Sequence, residues 1–297
     1  MPLIGTDKPT LSKTTGSRGD AACSARHNHP HPAAQAHTDK KMEETPMRRR
    51  LLALFMALAL TGCMTPPTLP PDAGKLAKGA KVGLLVRMPA SAEHMHVGTT
   101  VFNNFSTPYP FPWNPTAKVY EAFTSELEKA GFQVVRLTSF ATTSVNALAI
   151  FKDGRWIANP AQAWAARKLK EDQISAVVLV EATRTQARME CIGGPCDESF
   201  MQNSGLFTRG MLASTRYFAV PAIEAKVFVM DPPLNLAAYE PMLSQQRQRV
   251  RQLKDFQEPR DLKRLSSTEL APVASAIDGY VRALSRNTAQ ALSQGVK

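Results

Sequence analysis

The chain has 297 residues, with 36 Lys and Arg against 25 Asp and Glu and a net charge of +11. No stretch approaches the ~20 consecutive apolar residues of a membrane-spanning helix, so no transmembrane segment is predicted. The basic residues form no concentrated run and no recognisable module, which argues against nucleic acid as a partner.

Residues 1–46 are polar, rich in Ser, Thr, Ala and His, and show no sustained helical or strand period. They are predicted to be disordered, or to lie upstream of the true start at Met47. The tract HNHPHP, residues 27–32, has a metal-binding composition but falls in this segment, which is set aside from the fold. Arg48, Arg49 and Arg50 then precede a ten-residue apolar run, Leu51 to Leu60. As a helix that run spans about 15 Å, roughly half of a hydrocarbon core, and suits the apolar region of an export signal. Residues 47–62 are read as that signal.

The residues that end it, Leu60-Thr61-Gly62-Cys63, resemble the lipobox of bacterial lipoproteins. The resemblance implies cleavage before Cys63, lipidation of its thiol and anchoring to a membrane. Because Met64 rather than Asp follows, it also implies an outer-membrane lipoprotein facing the periplasm. Residues 1–62 hold nine of the basic and five of the acidic residues, leaving 27 against 20, a net +7. Residues 63–80, with Pro66, Pro67, Pro70 and Pro71 followed by glycines, read as a tether of up to ~50 Å. Residues 81–297 are long enough for one well-buried domain.

KVGLLVRM at 81–88 reads as a first strand. A loop of about 25 residues is expected next, because Pro108, Pro110, Pro112 and Pro115 oppose regular structure. It is dense in aromatics, with Phe102, Phe105, Tyr109, Phe111 and Trp113. Asn114 and Pro115 mark the start of a helix whose Val119, Phe123, Leu127 and Ala130 recur at helical spacing. Gly131 ends it and FQVVRL, 132–137, resumes as a strand. Asn159-Pro160 opens a second helix to about Lys170. QISAVVLVEA, 173–182, reads as a central strand buried on both faces. IEAKVFVM, 223–230, alternates like a half-exposed strand. A last helix is expected from Pro272 to about Gln294. The fold class expected is α/β, a mixed sheet packed against two or three helices in a single domain.

Cys191 and Cys196 flank a Gly-Gly-Pro turn. In an exported chain an even pair favours a disulfide, with a local effect because the loop is short. The opening strand, the phrase AGFQVV, the VVLVEA strand and the C-terminal helix together resemble TolB N-terminal-like α/β domains of envelope lipoproteins. That resemblance carries over no functional residue beyond Cys63.

Chemistry is sparse. The EHMH stretch places His94 and His96 on one face of a strand, a weak candidate for copper or zinc. No GxSxG, phosphate-cradling glycine motif or selected carboxylate pair appears, so a non-enzyme without cofactor is expected. Two stretches suit binding. Phe105, Tyr109 and Trp113 could present a rigid surface to a partner, or fold back over a sheet edge. Arg247, Arg249 and Arg251 recur at period two and on a strand would form one basic face for anionic lipid or glycan, or a solvated edge. The function expected is a non-catalytic accessory or scaffold in envelope assembly, transport or wall synthesis, working through an envelope protein partner. The alternatives are an auxiliary lipid- or glycan-binding subunit using residues 247–264, and an envelope hydrolase.

Overall fold

The computed structural model describes residues 68–190, 197–212 and 214–296. The upstream segment 1–46, residues 47–62 expected to be an export signal, and the expected lipidation and disulfide positions Cys63, Cys191 and Cys196 lie outside them. In chain order the first half holds β1 (Lys81–Arg87), β2 (Ser91–Val97), β3 (Phe105–Pro110), α1 (Pro115–Lys129), β4 (Gln133–Arg136), α2 (Thr142–Val145), β5 (Ala149–Lys152), β6 (Arg155–Ala158) and α3 (Ala163–Glu171). The second half holds β7 (Ile174–Ala182), β8 (Thr185–Glu190), β9 (Asp197–Met201), β10 (Gly205–Met211), β11 (Ser214–Val220), β12 (Ile223–Met230), β13 (Pro233–Asn235), α4 (Met242–Arg247), β14 (Arg251–Gln252) and α5 (Ser267–Gln294).

The architecture is α/β with mixed sheets. One sheet runs β13-β12-β7-β1-β4, with β1 parallel to both β4 and β7 and β12 antiparallel to both β7 and β13. One of its faces packs Val82, Leu84, Val178, Val180 and Val227 against Val119, Phe123 and Leu127 of α1 and Val273, Ile277 and Leu284 of α5. The other face packs Leu85, Val177, Leu179 and Phe228 against Val145 of α2 and Leu169 of α3. Strand β7 is therefore buried on both sides, which its continuous apolar run requires. Truncating Phe123, fully buried in this core, to Ala costs about 4 kcal/mol.

Helix α1 forms where its signals place it. Asn114 Oδ1 accepts from the Ala117 N–H at 3.1 Å, and Pro115 occupies the first turn. Its end is a Schellman motif: Gly131, at φ +91°, donates to the Glu128 carbonyl, and Phe132 donates to that of Leu127. Helix α5 starts earlier than Pro272 suggests. Ser266 Oγ accepts from the Glu269 N–H, while the Ser266 N–H donates to Glu269 Oε2 at 2.7 Å. This capping box fixes the helix start at Ser267 and leaves Pro272 inside the helix.

A second sheet, β14-β11-β10-β2-β3, is absent from the sequence reading. Two of its strands occupy the stretch expected to be a loop. Strand β3 tolerates Pro108 and Pro110 because it is an edge, pairing with β2 alone. Both prolines are exposed, while Phe105, Thr107 and Tyr109 alternate inward. The inner face of this sheet joins the main core through Leu206 and Ala219, and on its outer face Phe207 and Val220 pack with Ala187 and Met201 of the β8–β9 hairpin.

Part of the expected tether is also folded. Leu69, Ala73, Leu76 and Ala80 pack on the main core. The Leu76 N–H donates to the Leu292 carbonyl at 2.8 Å, and the Val296 N–H to that of Ala73 at 3.0 Å. The chain is thus held at the C-terminal end of α5 from Leu69 onward.

Candidate functional site

Strand β2 divides the EHMH stretch between two faces. Its pleat turns His94 and His96 inward and Glu93 and Met95 outward. Outside, the Glu93 carboxylate is fully engaged: it accepts from the Ser106 hydroxyl at 2.8 Å and from the Gln202 and Asn203 backbone N–H groups at 3.0 and 3.1 Å. It braces the turn between β9 and β10 and takes no part in a site with the imidazoles.

Inside, His94 Nε2 lies 3.0 Å and His96 Nδ1 2.7 Å from the one hydroxyl of Thr208 on β10. Phe105 packs on both rings, each centroid at 5.1 Å, and Lys263 lies over the far side of Phe105. His94 is 2 % exposed. Burial, reinforced by the charge of His96, holds its pKa down at about 4, and the backbone of Leu262 opposes this weakly. Burial and then Arg209 lower His96 as well. The Thr208 hydroxyl also reaches the Met95 carbonyl at 3.5 Å, and one hydroxyl hydrogen cannot serve two bare nitrogens, so at least one ring donates its N–H to Thr208. Two imidazolium rings would leave Thr208 accepting from both, with like charges side by side. This is a neutral, hydrogen-bonded trio. Among the described residues no group of three His, Cys, Asp or Glu converges for a metal.

The arginines expected on one strand occupy three kinds of backbone. Arg247 ends α4 and is exposed, Arg249 follows in a loop, and Arg251 opens the two-residue β14. Polar Gln245 and Gln246 continue helically from Met242, so the period-two spacing is interrupted by a helix end. Arg249 and Arg251 still share a wall of a cleft of about 220 Å³ against α5, with Gln245, Gln248, Gly279 and Tyr280. Arg249 Nη2 stands 3.9 Å from Glu224, which Lys226 bridges to Glu181 across β12 and β7.

Phe105, Tyr109 and Trp113 fold back. Phe105 covers the histidines, Tyr109 packs on the main core, and Trp113 lies 5.8 Å from Phe111 over Val119 and Ile277. The exposed aromatic of that stretch is Phe102, at 93 %. It sits with Val101 in the β2–β3 turn, while Met211 ends β10 and Leu212, 95 % exposed, follows it in the β10–β11 turn. Strands β2 and β10 are parallel, with His96 opposite Thr208 and Val97 opposite Arg209, so both turns emerge at the same end of the sheet. Four of the five exposed large apolar side chains of the described residues are gathered there, with Trp164 the fifth. The turns are braced: Arg209 Nη1 donates to the Gly98 and Gly210 carbonyls, and the Gly98 N–H donates to Asn104 Oδ1. The clue in the sequence was an apolar pair at each turn, but only the long-range β2–β10 pairing brings the pairs together.

Comparison with known protein families, characterised proteins and solved structures returns no match.

Proposed function

We propose that this protein is a lipid-anchored envelope accessory protein, facing the periplasm from the outer membrane, that presents the braced apolar end of its second sheet to a protein partner. The observation that carries the reading is the gathering of Val101, Phe102, Met211 and Leu212 on two adjoining turns. Apolar side chains this exposed and this clustered mark an interaction site rather than ordinary surface.

The position of the turns supports the same reading. Along α5, the 276–280 stretch lies beside Ala219 and Pro221, whereas Pro272 and Ser275 lie beside Phe256, which stacks on Tyr217. Moving along β11 toward its turn therefore follows α5 toward its N-terminus. The chain enters at the other end, beside Leu292. The 28-residue helix is about 42 Å long, so it separates the entry point from the apolar turns. An anchor at Cys63 would leave those turns presented away from the attachment point.

The test is a photoreactive residue at Phe102 or Leu212, with a control at exposed Lys254, crosslinked in intact cells. A recurrent adduct at the first two positions alone supports the reading; no adduct, or the same adducts at all three, overturns it.

A further inference from the structure

The cleft between β14 and α5 has the composition of an oxyanion site, and three features of it are independent. Arg249 and Arg251 stand two residues apart on one wall, directed at α5 by the pairing of Arg251 with Ala219, an inward-facing residue of β11. Arg249 is 15 % exposed; its Nη2 approaches Glu224, its guanidinium interacts with the Tyr280 side chain, and its buried Nε has no hydrogen-bond partner of good geometry among the described residues. A buried guanidinium N–H left unpaired is costly, and an acceptor that turns the Arg249 head into the cleft would remove that cost.

Donors from two side-chain amides flank the guanidinium groups. Gln245 Oε1 accepts from Asn287 Nδ2 at 3.2 Å, which commits its oxygen and leaves its own NH₂ as a donor. Gln248 lines the same wall. One guanidinium satisfies a carboxylate with two parallel hydrogen bonds. Two guanidinium groups and two amides supply donors for a group with more oxygens than that. Glu224, Lys226 and Glu181 balance the charge of Arg249 across β12, so Arg251 contributes the net positive charge.

The floor of the cleft is Gly279, inside α5. Glycine is the poorest helix former short of proline, and it usually persists in a helix where another backbone presses close. Nothing lies within 4 Å of where a Cβ at Gly279 would stand. The missing side chain is empty space in the cleft.

We infer that this cleft is a phosphoryl-binding site, in which Arg249, Arg251 and the Gln245 and Gln248 amides receive the oxygens of a phosphate group over Gly279. The phosphate is either free or part of a phospholipid headgroup.

The test uses the chain from Met64 to Lys297, without lipid, which keeps both five-stranded sheets and every helix of the described residues. Its probes are inorganic phosphate, followed by titration calorimetry, and phosphatidylcholine vesicles with and without one-third phosphatidylglycerol, followed by co-flotation. Binding of phosphate alone assigns a free anion, and binding of the phosphatidylglycerol vesicles assigns a headgroup; both support the site. Arg251→Gln and Gly279→Leu should each weaken binding at least tenfold, the second by filling the cleft without altering charge. Since Arg249→Gln also removes a neighbour of Glu224, the leucine variant is decisive. The inference is overturned if neither probe binds, or if Gly279→Leu binds as the unmodified chain does. Loss of this site leaves crosslinking at Phe102 and Leu212 unaffected, so the two readings fail separately.

Discussion

Gly205 faces Glu93 across the β2–β10 pair with no room between them for a side-chain carbon. A Cβ at Gly205 would overlap the backbone carbonyl of Glu93. That obstacle is backbone inside a sheet and cannot rotate away. Gly205→Ala should therefore destabilise the protein by about 3 kcal/mol, through separation of β2 from β10. Gly279→Ala is the contrasting change, since its Cβ meets open space, and should be neutral or stabilising by up to about 1 kcal/mol. Urea unfolding of the two variants beside the unmodified chain measures both; equal effects would refute this account of the two glycines.

The histidine trio makes stability depend on pH with a definite sign. Folding lowers the His94 pKa from 6.5 to about 4, so between those values the unfolded chain binds the proton more readily. The contribution is complete above about pH 6.5 and is lost as pH falls toward 4. The shift corresponds to about 3 kcal/mol for His94, and the lowered His96 adds in the same direction. Unfolding free energies at pH 7.5, 6 and 5 should fall with pH, and His94→Gln should flatten the trend. A slope that survives the substitution would place the titrating group elsewhere.

The mass of the membrane-extracted protein checks both cysteine expectations. Glu190 and Asp197 are the cross-strand partners nearest the connection of the β8–β9 hairpin, so the backbone on either side of residues 191–196 is held together. A disulfide between Cys191 and Cys196 should make the chain lighter by a pair of hydrogens, and its loss should cost about 2 kcal/mol or less. A chain beginning at acylated Cys63 is expected in the same spectrum. A mass that retains residues 1–46 would overturn the lipoprotein reading.

What was legible in the sequence was local. The α1 stripe of Val119, Phe123 and Leu127 sits between an Asn-Pro start and a Gly stop, and all of these signals lie within eighteen residues. The continuous apolar run of β7 signals burial on both faces without reference to any neighbour. Strands β2 and β3 resisted because their inward positions carry His94 and His96 where apolar residues are expected, and because edge prolines resemble loop prolines. The β5–β6 hairpin had a readable turn, Asp153-Gly154 at φ +51° and +75°, but its strands are too short to show a period. The candidate sites were harder still. Thr208 reaches His96 across 112 residues of chain, and Arg249 finds Gly279 only after α5 has folded back. Such meetings are products of topology, and periodicity does not encode them.

The docking of Leu69 to Ala80 beside the end of α5 sets how far the protein can search. At most residues 64–68, about 16 Å when extended, lie between Cys63 and Leu69, the first packed side chain among the described residues. With Cys63 acylated, the domain explores a thin layer against the bilayer instead of a wide sphere. Its effective concentration toward anything in that layer is then in the millimolar range expected of short linkers. A modest intrinsic affinity at the apolar turns would suffice for a membrane-resident partner, while the same affinity would scarcely register with both molecules free in solution.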